Sequence, residues 1–164
     1  MPIPFEVNKM LADTFEPKRA NRFLFEFTGD LLPAFTVRTM AKPSYTTETI
    51  TIDYLNQKRY LAGKGAWNTI DMTLYDPIAP SSAQKVMEWV RLQHETISGR
   101  DGYAAFYKKN ITLKGLDPVG AEIESWELRG CYCESVNFGA YDMSSAEPLE
   151  ISITIRPDSC ILNY

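Results

Sequence analysis

Histidine occurs once in this chain of 164 residues and cysteine three times. A single imidazole, His94, leaves little material for general acid–base work or a histidine-ligated metal. Three thiols cannot all pair among themselves, so no disulfide framework is expected, and synthesis in a reducing cytoplasm is. Positive charge is short as well. Seventeen Lys and Arg against 21 Asp and Glu give a net charge of −4, without the basic excess of a nucleic-acid binder. No run of about 18 apolar residues occurs, the length a membrane-crossing helix needs, so no membrane partner is expected. Met1-Pro2-Ile3-Pro4-Phe5-Glu6 lacks the basic and apolar regions of a secretory signal. Low-complexity tracts and solenoid repeats are missing too. What remains is ordinary globular composition, 45% hydrophobic and 12% aromatic, enough for one domain over 1–164 with a real core.

The prevailing period is two. Phe23, Phe25 and Phe27 share one face of a run whose other face carries Arg22, Leu24, Glu26 and Thr28. Phe35, Val37 and Thr39 alternate with Thr36, Arg38 and Met40 between two prolines. From Tyr45 to Leu55, Ile50, Ile52 and Tyr54 lie opposite Thr47, Thr49, Thr51 and Asp53. Further strands are expected at Trp67–Tyr75, Ile111–Lys114, Glu122–Arg129, Cys131–Phe138 and Leu149–Arg156, bounded by Gly, Pro or Asp turns. Leu55–Gly65 and Gly99–Ala105 read as irregular. One segment has a helical period: Ser81 with Gln84 forms a capping box, and Ala83, Val86, Met87, Val90, His94 and Ile97 follow until Ser98-Gly99. The fold class expected is mainly β, a sandwich or partial barrel of about eight strands with one amphipathic helix at about 81–98.

Chemistry has little support. His94 falls on the apolar stripe and reads as a core histidine. Cys131 and Cys133 would share a strand face, but Cys160 and His94 would have to complete a metal site and no CxxC or HxxxH spacing backs one. Buried thiols are the expectation, with no metal, no cofactor and no catalytic residues. Gly63-Lys64-Gly65 is not a P-loop, since a strand rather than a helix follows it. Asn110-Ile111-Thr112 fits a glycosylation sequon only by coincidence. No G-x-S-x-G elbow occurs. A structural or binding protein is the reading.

Charge and strand edges carry more. Residues 117–158 hold nine acids and two bases, whereas Lys58, Arg59 and Lys64 sit together elsewhere. This is either a solvated acidic face or one half of a self-complementary surface. The strand bearing Thr47, Thr49 and Thr51 carries no outward lysine to discourage edge pairing. Its edges are therefore covered by loops or paired with a neighbouring subunit, and its polar side could line a wetted interior.

Three stretches together resemble the tail tube proteins of contractile-tailed bacteriophages, in order and spacing from about residue 18 to 158. They are Asn56-Gln57-Lys58-Arg59-Tyr60 through Ala62-Gly63 and Trp67 to Asp76; Trp126 to Gly139; and the Asp142–Glu150 loop with Ile151–Asp158. Cys131-Tyr132-Cys133 departs from that family's aromatic-Pro bend, and residues 1–17 form a longer N-terminal arm.

The resemblance implies hexameric rings stacked inside a contractile sheath, with inner sheets joined across subunits around a lumen that conducts the genome into the host. It places Asn56, Gln57, Lys58, Arg59, Tyr60 and Lys64 at the contact with the adjacent ring. It turns Thr47, Thr49, Thr51 and Asp53 to the lumen and makes Glu122, Glu124, Glu127, Glu147 and Glu150 the acidic partner surface. The helix would lie outside the barrel, toward the sheath. Its implied partners are further copies of itself, the sheath protein, the baseplate hub and the tail terminator. Tape measure protein and DNA would pass through without specific binding, in a virion tail assembled in the bacterial cytoplasm. The alternatives are the inner tube of a tail-derived injection, secretion or bacteriocin particle, and a glycan-binding sandwich of a baseplate with Tyr103, Phe106 and Tyr107 exposed.

Overall fold

The computed structural model describes residues 15–29 and 31–164, so most of the N-terminal arm lies outside the described residues. Nine strands and two helices follow in the order β1 (Phe23–Phe27), β2 (Val37–Met40), β3 (Tyr45–Tyr54), β4 (Gln57–Trp67), β5 (Ile70–Tyr75), α1 (Ser82–Gln93), α2 (Ala104–Tyr107), β6 (Lys109–Leu116), β7 (Glu122–Asn137), β8 (Glu150–Arg156) and β9 (Ser159–Asn163). Seven strands form one antiparallel sheet along the path β1-β6-β7-β8-β5-β2, with β9 also on β7, while β3 and β4 pair only with each other.

The sheet becomes a sandwich because β7 serves both layers. Its first part pairs with β6 and β9, and Tyr132–Asn137 pairs with β8. The alternating apolar residues meet between the layers: Phe25, Phe27, Ile111 and Leu128 from one, Ile70, Met72, Leu74, Ile151, Ile153 and Ile155 from the other, all buried in one cluster. The mainly β sandwich with one long helix is thus the fold, and the sheet does not close on itself in one copy.

Several boundaries move. The two strands expected at 122–129 and 131–138 are one, because Gly130 at φ +64° takes up a bulge instead of ending the strand. A side chain there would be strained by that φ and would displace the Asp158 carboxylate, so glycine suits the position. A ninth strand, β9, extends β7's layer after the turn at Pro157-Asp158. Leu55–Gly65 is not irregular: Gln57–Trp67 is a strand, registered on β3 through pairs such as Ile50↔Leu61 and Asp53↔Lys58. Its Lys, Arg and Gly content hides the strand because, among the described residues, only β3 pairs with it and most of it stays exposed. Phe35 and Thr36 belong to a 3₁₀ turn over Ala34–Thr36 that precedes β2.

The helix starts as expected, with Ser81 Oγ accepting from the Gln84 amide at 3.4 Å. It stops at Gln93 rather than near residue 98. His94 is already extended, and the chain doubles back so that Gly99 and Gly102 donate to the carbonyls of Glu95 and Gln93. Thr96, Ile97 and Ser98 form the turn of that return, closed by the Gly99 bond and by Gly99's φ of +66°. His94 is therefore not a core histidine: it lies exposed, its Nδ1 2.7 Å from Asp101 Oδ1. The buried helical face is Val86 and Trp89, and Trp89 packs edge-on against Phe27 at 5.3 Å between ring centroids. Its indole N–H donates to the Tyr107 carbonyl at 2.6 Å, which ties α1 to α2.

Candidate functional site

β3 and β4 form a ribbon that stands apart from the sandwich. Thr and β-branched residues at 46, 47 and 49–52 favour extended backbone, and the turn at Leu55-Asn56 uses a positive φ of 51° at Leu55. Its base is fastened. Asn68 donates to Ser44 and Thr46 hydroxyls, and Tyr45 stacks edge-on against Trp67, which in turn meets Trp126. Gly65 makes room for this base, since a side chain there would overlap the Tyr45 phenol. Beyond the base, every residue of β3 is exposed.

The register sorts the ribbon's side chains into two faces. Thr49, Thr51 and Asp53 lie opposite Ala62, Tyr60 and Lys58, and Thr47, opposite Gly65, shares that face across a bulge. Ile50, Ile52 and Tyr54 lie opposite Leu61, Arg59 and Gln57 on the other. The four residues read as lumen-facing therefore do share one side. The cations read as a unit do not: Lys58 is with Asp53, Arg59 with the aliphatic side, and Lys64 sits near the base. Asn56 occupies the turn, with Gln57 and Tyr60 just behind it.

Sequence reading did not single out the aliphatic face as solvent-exposed. Ile50 is 51% exposed, Ile52 46%, and Leu55 at the tip 89%. Their alternation with threonine signals a half-buried strand, yet among the described residues no element covers that face.

The five carboxylates read as one acidic surface do not form a single open patch. Glu127 is bidentate on Arg129 at 2.9 and 3.1 Å, and Glu150 pairs with Arg38. Glu122 approaches Lys114 at 3.6 Å, and Glu147 sits on the exposed 139–149 loop.

Glu124, its side chain only 11% exposed, accepts from Lys18, from Lys42 at 2.7 Å and from the Trp126 indole at 2.6 Å. The Lys18 contact, followed by those of Lys42 and Trp126, holds its carboxyl at about 2, below the usual 4.5. A depressed folded-state value stabilises above pH 4.5, and that contribution fades as pH falls toward 2. Because both lysines are largely exposed, about 1–2 kcal/mol is expected. Urea midpoints should fall more steeply between pH 4.5 and 2.5 in the parent than in Glu124→Gln; parallel curves would contradict this.

The thiols are inert by position. Burial pushes Cys131 up to about 12 and Cys133 and Cys160 to about 11. Among the described residues no three metal-capable side chains converge.

No protein-family model matches the chain, and no curated protein matches it. Solved structures do. A chain of the sheath/tube terminator of an extracellular contractile injection system, PVC, in the extended state, matches with a TM-score of 0.74 at 16% identity, covering 92% of this chain and 99% of that one. A chain of the six-fold symmetrised baseplate of the anti-feeding prophage matches at 0.71 and 14%, covering 91% and 97%. The SPP1 tail tube matches at 0.58 and 13%, covering 90% and 79%. The sandwich with its projecting ribbon is thus the tail-tube fold, common to phage tubes and contractile injection particles.

Proposed function

We propose that the chain is the structural tube subunit of a contractile tail-like particle. Single-domain protomers close into hexameric rings, the rings stack, and ribbons of adjacent copies join edge to edge around a lumen. The observation that carries this is the ribbon: the ten-residue β3 pairs, among the described residues, with β4 alone and is exposed on both faces. An isolated two-stranded hairpin is marginal in water, and its outer backbone groups are unpaired. Adding the same ribbon from the next copy on each side satisfies those groups, and closure of the ring abolishes the edge.

In this arrangement Thr47, Thr49, Thr51 and Asp53 line the channel, and the aliphatic face turns back onto the protomer bodies. Lys58 opposite Asp53 leaves that face locally neutral, so a passing polyanion finds few cations to bind and little counterion release to hold it. The tip, Asn56 to Tyr60, reaches the next ring end-on, with Lys58 and Arg59 on opposite faces of β4 just behind the turn. Carboxylates such as Glu122 and Glu127 receive them. The sheath surrounds the tube on the side of α1, and baseplate hub and terminator cap its ends.

In a phage tail the lumen conducts the genome and tape measure protein, and the particle is a virion. A second reading, the inner tube of an injection particle, is favoured by the greater likeness to chains of the two contractile injection particles than to the phage tube. Lys58→Glu with Arg59→Glu should leave the melting curve unchanged and stop assembly at single rings in sedimentation. Rods of normal length from that variant would contradict the tip assignment.

A further inference from the structure

A cavity of about 340 Å³ opens where the ends of β1, β2, β6 and the start of β7 part. Its walls include Phe23, Met40, Leu113 and Trp126, and its lining carries six cations: Lys18, Arg19, Arg22, Arg38, Lys42 and Lys114. The one carboxylate among the described lining residues is Glu124, and Glu16, Glu26, Glu122 and Glu150 reach the rim cations Arg22, Lys114 and Arg38 from outside the lining. An apolar socket with this excess of positive charge suits an apolar side chain carried on an acidic turn.

The same chain presents one. Between β7 and β8, Tyr141 is 95% exposed and Met143 fully so, on either side of Asp142 and with Glu147 following. The turn has a fixed shape. Asp142 Oδ1 accepts from the Ser144 amide at 2.9 Å and its hydroxyl at 2.7 Å, and the Ser145 amide bonds back to the Asp142 carbonyl. No base occurs from Gly139 to Leu149.

Resting on the tube-subunit reading above, we infer that the 139–149 loop of one copy docks into the β1–β2–β6–β7 socket of a second copy, with Met143 or Tyr141 seated among Met40, Leu113 and Trp126 and with Asp142 and Glu147 against the cationic rim. Arg38 reaches Glu150 and Lys114 reaches Glu26 at 3.1 Å within the chain, surface pairs weak enough to re-pair when the loop arrives. Arg19 lines the socket beside them. This surface adjoins the ribbon base through Trp126 but leaves the ribbon's edges free, so each subunit carries two contacts with its neighbours, one by backbone pairing and one by an inserted side chain.

Cysteine cross-linking tests it. Thr39→Cys, at the socket wall, and Met143→Cys are made in separate chains and mixed before assembly; the native thiols are buried and do not compete. Mild oxidation should join the two variants across copies in assembled particles. Thr39→Cys with Val119→Cys, exposed elsewhere, should not give the product. Rings visible in the microscope with no Thr39–Met143 bond above that control overturn the docking and leave the tube-subunit reading standing, the socket then having another occupant. Absence of rings from the unmodified protein overturns both. Tyr141→Ser with Met143→Ser, which touches no core residue, should raise the concentration for half-assembly at least about tenfold. Unchanged assembly overturns the docking.

Discussion

Replacing residues 48–64 by Asn-Gly is expected to give a protein that folds, melts within about 5 °C of the parent and forms neither rings nor rods. The core explains the first half of that result. None of the buried hydrophobic residues lies between Tyr45 and Trp67, so shortening the ribbon creates no cavity. Thr47 and Gly65 face each other across β3 and β4, and Asn-Gly is a natural two-residue connection for antiparallel strands. The second half follows because the deleted segment holds the long unpaired edges and the exposed Ile50, Ile52 and Leu61. Circular dichroism melts and sedimentation velocity read the two halves separately. Loss of the folded monomer would show that the ribbon supports the sandwich; intact assembly would show that the ribbon is not the joining element.

Trp89→Ala should have the largest effect on stability, a loss of about 3–5 kcal/mol measured by urea unfolding. That is a large share of the roughly 5–15 kcal/mol that holds a domain of this kind together. Trp89 is fully buried, fills the space between α1 and Phe27, and spends its N–H on the Tyr107 carbonyl. Trp89→Phe retains most of the ring packing but leaves that carbonyl without its donor, and should lose about 1–3 kcal/mol. A cost below about 1 kcal/mol for the alanine variant would mean that α1 is not anchored where the structure places it.

Trp89 also shows where periodicity stops being informative. The stripe drawn through Ala83, Val86, Met87 and Val90 finds the helix and one edge of its buried face, yet extends it to His94 and Ile97. A hydrophobic period says that a face is covered but not where the chain turns away, and here the turn is set by contacts between residues 93–95 and 99–102. The sandwich strands were legible because one side of each is buried: Ile151, Ile153 and Ile155 against Ser152 and Thr154 need no further information. Gly130 misled for the opposite reason. A glycine that ends one strand and a glycine that bends a longer one look alike until Asp158 and Asn110 are seen against it.

The candidate site was legible in part. Thr47, Thr49, Thr51 and Asp53 do share a side, because a period of two survives the bulge opposite them. Pairing of Lys58 with Asp53 depends on a turn at Leu55-Asn56 that nothing in the polar run 56–65 announces. The acidic half of the chain looked like one surface because sequence proximity was all there was to judge by. Folding distributes it instead, putting Glu124 under two lysines and Glu150 on Arg38 while Glu147 stays on an outward loop.

Electron microscopy of the purified, unmodified protein over a range of concentrations tests the central claim most directly. The account requires annular particles with sixfold end views and, as concentration rises, hollow rods built from them. Particles that remain single protomers throughout, with the β3–β4 ribbon in solvent and no annular species, would contradict it.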